Sequence, residues 1–220
     1  GEVNGILNFS GGQIVADGDG DGFVARFDSS GSLVWGQTFG APSAFEAGFA
    51  VTADASGDVL VGGYFNGSFA FAGGGQTLTS NGDFDLLLAK LDQAGSHVWS
   101  GTYGDVGPAG NAGPYALAMG PGGGLVAIGQ LLGTMQFGDT TLTVDGSADG
   151  YVAKLDGASG APVWARKIGG AAYQTLASLS VGPGDRIAIG GEFEGAIVLG
   201  KDSFVAQGGN IDPFIAVLAP

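Results

Sequence analysis

The sequence predicts an all-β fold assembled from repeated units of four antiparallel strands. Three observations predict it. Several phrases recur in a fixed order along the 220 residues, with successive copies about 64 residues apart. The phrases are five to eight residues long, rich in Val, Ile, Leu and Phe, and bounded by Gly, Asp, Ser and Asn, which is how strands are punctuated. No segment carries a sustained helical period with caps.

The tryptophans mark the repeat. Trp35, Trp99 and Trp164 lie 64 and 65 residues apart and close the phrases LVW, HVW and PVW. Upstream stand DGFVARFD (Asp21 to Asp28), DLLLAKLD (Asp85 to Asp92) and DGYVAKLD (Asp149 to Asp156), with a decayed copy, DPFIAVLA, from Asp212. A third phrase, VLVGGYF from Val59, recurs as LVAIGQL from Leu125 and IAIGGEF from Ile187. Gly5, Gly67, Gly133 and Gly195 follow at matching places, and four residues beyond them come Phe9, Phe71, Phe137 and Leu199.

One unit reads as strand A from Ala50 to Asp54, a Ser56-Gly57 turn, and strand B from Val59 to Phe65. A Gly-rich excursion from Gly67 to Asn81 leaves room for a short hairpin. Strand C runs from Asp85 to Leu91, a Gln93-Ala94-Gly95 turn follows, and strand D runs from His97 to Tyr103. Asp and Gly suit these turns, since Asp bonds its own backbone and Gly accepts a positive φ. The chain divides into a partial unit over 4–49 (C and D), complete units over 50–104 and 115–169, and a partial unit over 176–220 (A, B and C), about 3.4 repeats in one domain of 1–220.

Strands B and C are apolar throughout rather than alternating, so both of their faces are covered. Self-hairpinned units with two covered faces describe β-propeller-like blades. Gly62-Gly63 and Gly190-Gly191 would let them pack closely. A parallel β-helix is the competing architecture; its coils are shorter and lack the repeated hairpin turns.

Composition narrows the function classes. Apolar residues make up 45% and charged residues 13% of the chain, against the composition of disorder. The 46 glycines follow no collagen period, and no apolar run approaches a membrane span. Net charge is −14, a surface that repels nucleic acid and anionic lipid. There is no cysteine, so disulfides and thiolate chemistry are excluded. The chain opens on Gly1 without a start methionine or a signal peptide, which reads as a processed or trimmed product.

The D-x-F-V-A-K-L-D phrases, the following x-V-W, and V-x-V-G-G-x-F before the Gly-rich excursion together resemble the bacterial SBBP-type β-propeller repeat over residues 4–219. Such repeats occur in large exported proteins, often of myxobacteria. The resemblance implies an extracellular, periplasmic or cell-surface location and brings no catalytic residues with it. The last copy departs from the pattern: Pro213 enters strand C, Val217 replaces the basic residue, and Ala219 replaces the aspartate.

Propellers have about four to eight blades, and closing this chain on itself leaves one C strand too many. Two readings stay open: a stretch of a longer repeat protein, or an assembly of several chains completing one another through their terminal strands.

Asp17, Asp19 and Asp21, separated by glycines, form the sharpest local motif. Alternating carboxylates can wrap a calcium ion with oxygen ligands, while the same residues serve equally as a solvated turn entering strand C. Arg26, Lys90 and Lys154 share one place in strand C and read as rim charges pairing with aspartates. The tryptophans read as packing between blades, each N–H reaching a carbonyl. His97 has Leu33 and Pro162 as its equivalents, so no histidine recurs for a metal or a base. No G-x-S-x-G and no singled-out carboxylate pair points to an enzyme. The expectation is a non-enzymatic structural or adhesive module acting through self-assembly or protein–protein contacts, with the Gly67–Asn81 excursion and its copies as the contact face. The alternative is a calcium-dependent, lectin-like glycan-binding module.

Overall fold

The computed structural model describes residues 1–18, 20–41, 45–72, 74–81, 84–104 and 113–218. These residues form β-strands and two 3-10 turns, with no α-helix among them. Two sheets have four antiparallel strands in the order A-B-C-D. The second sheet comprises Glu46–Ala53, Val59–Phe65, Asp85–Leu91 and His97–Thr102. The third comprises Gly113–Met119, Gly124–Leu131, Asp149–Asp156 and Pro162–Ile168.

The outer sheets have three strands each. The first pairs Asp21–Phe27 with Leu33–Phe39 on one side and with Glu2–Val3, in the B position, on the other. The last carries A, B and C as Gln174–Val181, Ile187–Phe193 and Asp212–Leu218. Each B–C excursion folds into its own two-stranded hairpin, as in Ser68–Phe69 with Leu78–Thr79 and Thr134–Phe137 with Thr140–Thr143.

Strand A starts earlier than its apolar residues suggest, at Glu46 rather than Ala50, because a β-bulge between Gly48 and Ala50 shifts the register. The same bulge lies between Pro114 and Ala116 and between Leu176 and Ser178. It dictates the second glycine of the G-G pair. A Cβ on Gly63 would sit 2.1 Å from the Ala47 carbonyl oxygen, and one on Gly191 2.0 Å from that of Thr175. The first glycine serves packing between sheets instead, since a Cβ on Gly62 would meet Pro114 at 2.9 Å and Leu117 at 3.1 Å.

The core lies between sheets rather than inside any one of them. Strand C of the second sheet is buried at every residue. Its Leu86 and Leu88 join the third sheet's Leu125, Tyr151 and Leu155. Its Leu87, Ala89 and Leu91 join the first sheet's Val24 and Phe39. A third cluster sets Val126, Ile128 and Val152 against Leu176, Ile187 and Ile189 of the last sheet. Neighbouring sheets touch along their A strands, Glu46–Ala53 beside Gly113–Met119 and the latter beside Gln174–Val181. This is blade-on-blade packing, and it explains why strands B and C lack alternation.

The tryptophans tie each sheet to the next. Trp35 Nε1 donates to the Gln93 carbonyl at 2.9 Å, and Trp99 Nε1 to that of Gly157 at 3.3 Å. Their rings lie on the turn glycines Gly95 and Gly160, where a Cβ would come within 2.9 and 2.7 Å of ring carbons. Trp164 is half-buried beneath the Arg166 guanidinium. Of the basic residues of strand C, Lys90 is buried and pairs with Asp54 at 2.7 Å and Asp58 at 3.2 Å, and the half-buried Lys154 pairs with Asp185 at 3.1 Å. Arg26 donates to the Gln93 carbonyl at 2.7 Å.

Candidate functional site

The acids that open strand C are structural in every copy. Asp21, Asp85 and Asp149 are all buried. Each carboxylate accepts the backbone N–H four residues upstream, from Asp17 at 2.5 Å, Asn81 at 3.0 Å and Asp145 at 2.8 Å. Asp212 accepts the Gln207 N–H, five residues upstream, at 2.8 Å. The carboxylate thereby closes the loop that leads into the strand. A glycine after strand D makes room for it. A Cβ on Gly104 would lie 2.0 Å from the Asp85 carboxyl carbon, and one on Gly169 2.0 Å from Asp149 Oδ1.

Of the three residues expected to hold calcium, two lie among the described residues. Asp17 is exposed, Asp21 is buried with Oδ2 committed to the Asp17 amide, and Asp19 lies outside the described residues. Among the described residues, no three His, Cys, Asp or Glu side chains converge as a metal site would require.

The copies differ in what surrounds the buried aspartate. Around Asp149, Lys167 Nζ stands at 3.5 Å and the Gly170 amide donates to Oδ1 at 3.2 Å. Gln174 completes the arrangement, accepting from the Gly170 amide at 2.7 Å and donating to the Glu194 carbonyl at 3.2 Å. Around Asp21, Thr38 replaces the lysine and Glu46 replaces the glutamine. Asp21 Oδ1 and both Glu46 carboxyl oxygens are buried without hydrogen-bond partners. Asp21 Oδ1 and Glu46 Oε2 each lie 2.7 Å from the place a Gly40 Cβ would take.

Burial pushes the Glu46 carboxyl up to about 7. The Ala41 amide pulls the other way, and the Asp21 charge adds to the rise. The folded state therefore holds a proton that the unfolded chain releases near the ordinary glutamate value of 4.5. The stability this gives is complete below that value and is lost as pH rises through about 7. Replacing Glu46 with Gln puts the last sheet's amide in its place. The variant is expected to match the parent at pH 5 and to exceed it at pH 8.5 by about 1–3 kcal/mol. Urea unfolding at the two pH values measures this, and equal pH profiles would contradict it. Glu46 was not singled out in the sequence, but its alignment with Gln174 was the available signal: a carboxylate stands where another copy keeps an amide.

His97 is half-buried, stacks on Phe71 at 5.4 Å, and lies 3.0 Å from Ser100 Oγ through Nε2. Burial lowers its pKa. Among the described residues no carboxylate orients its other nitrogen, so the pair lacks the third group that activates a serine. A different feature is a cluster of four rings. Phe49 stacks on Tyr64 at 4.8 Å, and Phe45 and Phe84 pack around that tyrosine. Phe49 is exposed and the other three are half-buried.

No family model matches the chain, and no curated protein matches it. Among solved structures it is similar to a protein of unknown function from Bacteroides caccae, at 11% identity and a TM-score of 0.35, covering 84% of this chain and 69% of that one. It is also similar to BamB from Moraxella catarrhalis, at 16% identity and a TM-score of 0.31, covering all of this chain and 67% of that one. No helix among the described residues is long and apolar enough to cross a membrane.

Proposed function

We propose that the chain is a non-enzymatic structural or adhesive repeat module of an exported or cell-surface bacterial protein, of the SBBP type, acting through self-assembly or protein contacts. One observation carries this reading. The chemistry-bearing residues are spent on the fold, with the aspartates closing loops and Trp35 and Trp99 sewn into seams, while large apolar side chains stand exposed on the two end sheets. Exposed apolar surface of that kind marks interaction sites. A calcium-dependent glycan-binding module is the second reading, favoured by the ring cluster around Tyr64, since sugar faces stack on exposed aromatics.

Light scattering after size exclusion tests both, with and without calcium. The proposal expects a defined oligomer at micromolar concentration whose mass ignores calcium. A monomer at every concentration would overturn self-assembly, and calcium-dependent behaviour would favour the glycan reading.

A further inference from the structure

We propose that the seam between the first and second sheets holds a hard metal cation of the calcium type, bound by Asp21, Glu46 and the Asn66 backbone carbonyl. The site differs from the acidic turn at Asp17. It uses Asp21 through Oδ1, the oxygen that the turn leaves unengaged.

The last seam shows what this place in the repeat requires. There Gln174 engages both ends of its amide. Its oxygen accepts from the Gly170 N–H at 2.7 Å, and its nitrogen donates to the Glu194 carbonyl at 3.2 Å. The Lys167 ammonium stands 3.5 Å from Asp149 and offsets its charge. The carbonyl has a donor, and the buried carboxylate has a cation beside it.

The first seam has the same backbone. Glu46 pairs with Phe65 as Gln174 does with Phe193. The Asn66 N–H donates to the Phe45 carbonyl at 2.9 Å, as the Glu194 N–H does to that of Tyr173 at 2.8 Å. The Asn66 carbonyl therefore corresponds to that of Glu194. The side chains differ. Glu46 has no nitrogen to donate to that carbonyl, and Thr38 brings no charge where Lys167 does. Among the described residues, every ion pair involves other acids.

The two carboxyls are 1% and 0% exposed, and three of their four oxygens take no hydrogen bond. They converge, because Asp21 Oδ1 and Glu46 Oε2 lie 2.7 Å from one common point, the place of a Gly40 Cβ. No more than twice that distance separates them. Two carboxylates buried together need a positive partner. A proton supplies it at pH values below about 7, where Glu46 is held neutral. Above that range a metal ion takes its place. All the donors are oxygens, which selects a hard cation. Calcium suits an irregular set better than magnesium, and fills its shell of about six to eight oxygens with carbonyls and water beyond the carboxylates. Such an ion clamps strand C of the first sheet to strand A of the second. The clamp lies inside one chain, so it raises stability and leaves the mass unchanged, which separates it from a calcium-dependent change of assembly.

Urea unfolding of the full chain at pH 8.5, with a chelator or with about 1 mM calcium, tests the site. Calcium should raise the parent's midpoint, and titration calorimetry should count one ion per chain. Glu46→Gln restores the amide of the last seam, so it should fold without the ion and bind calcium at least about tenfold more weakly. Its advantage over the parent in chelator should shrink as calcium is added. Asp17→Asn should keep the parent's full response. A response that Glu46→Gln shares in full, or that Asp17→Asn abolishes, would put the ion elsewhere on the acidic surface and overturn the site. A parent midpoint indifferent to calcium would overturn it as well, leaving the proton as the only partner of Glu46.

Discussion

Replacing Gly63 with Ala should destabilise the chain by at least about 3 kcal/mol, read as a lower urea midpoint at unchanged slope. The reason is backbone against backbone. The bulge between Gly48 and Ala50 pushes the Ala47 carbonyl to within 2.1 Å of the added methyl. Neither partner is a flexible side chain, so relief requires removing the bulge, which would slip strand A by one residue and turn its faces over. Gly62→Ala is the control. Its methyl meets the edge of Pro114 and the end of Leu117, which can yield, and the cost should be about 1–2 kcal/mol. Similar losses at the two positions would mean that the bulge is dispensable.

Trp99→Ala should cost about 3–5 kcal/mol, the range for removing a buried large aromatic. The indole is buried in the seam between the second and third sheets, lies on Gly160, and donates to the Gly157 carbonyl. Trp99→Phe keeps most of the ring and forfeits the hydrogen bond, so about 1–2 kcal/mol of that loss should remain. Trp164→Ala should cost less than Trp99→Ala, because Trp164 is only half-buried and the last sheet has no strand D beyond its strand C. Circular dichroism is the readout, since removing tryptophan alters fluorescence. Equal losses for Trp99→Ala and Trp164→Ala would contradict the seam role.

Much of this architecture is legible in the sequence because sheet-on-sheet burial writes itself as continuous apolar runs. Val59–Phe65 and Asp85–Leu91 are covered on both faces, and their phrases recur with little change. The tryptophan's place was legible for a similar reason: a large ring with one donor, at one place in each repeat, is the signature of a seam. Strand A was harder to bound. Its bulge breaks the pattern, and Glu46 at its start looks like a loop acid until the register places it opposite Phe65. The Asp17-to-Gly22 run reads two ways. A carboxylate that closes a turn by accepting backbone N–H groups has the same spacing as one that binds a cation. Asp85 and Asp149 keep the loop-closing role without a matching acid pair upstream. The exposed end faces could not be read from the sequence at all, because Ile215 and Leu88 occupy the same place in the same phrase and differ only in what lies next to them.

Amide hydrogen exchange on the wild-type chain tests most directly the central claim, that the sheets cover one another face to face. Asp85–Leu91, buried at every residue, should exchange slowest. Asp212–Leu218, whose Ile215 and Val217 are exposed, should exchange faster. Equal protection in the two strands would contradict the claim.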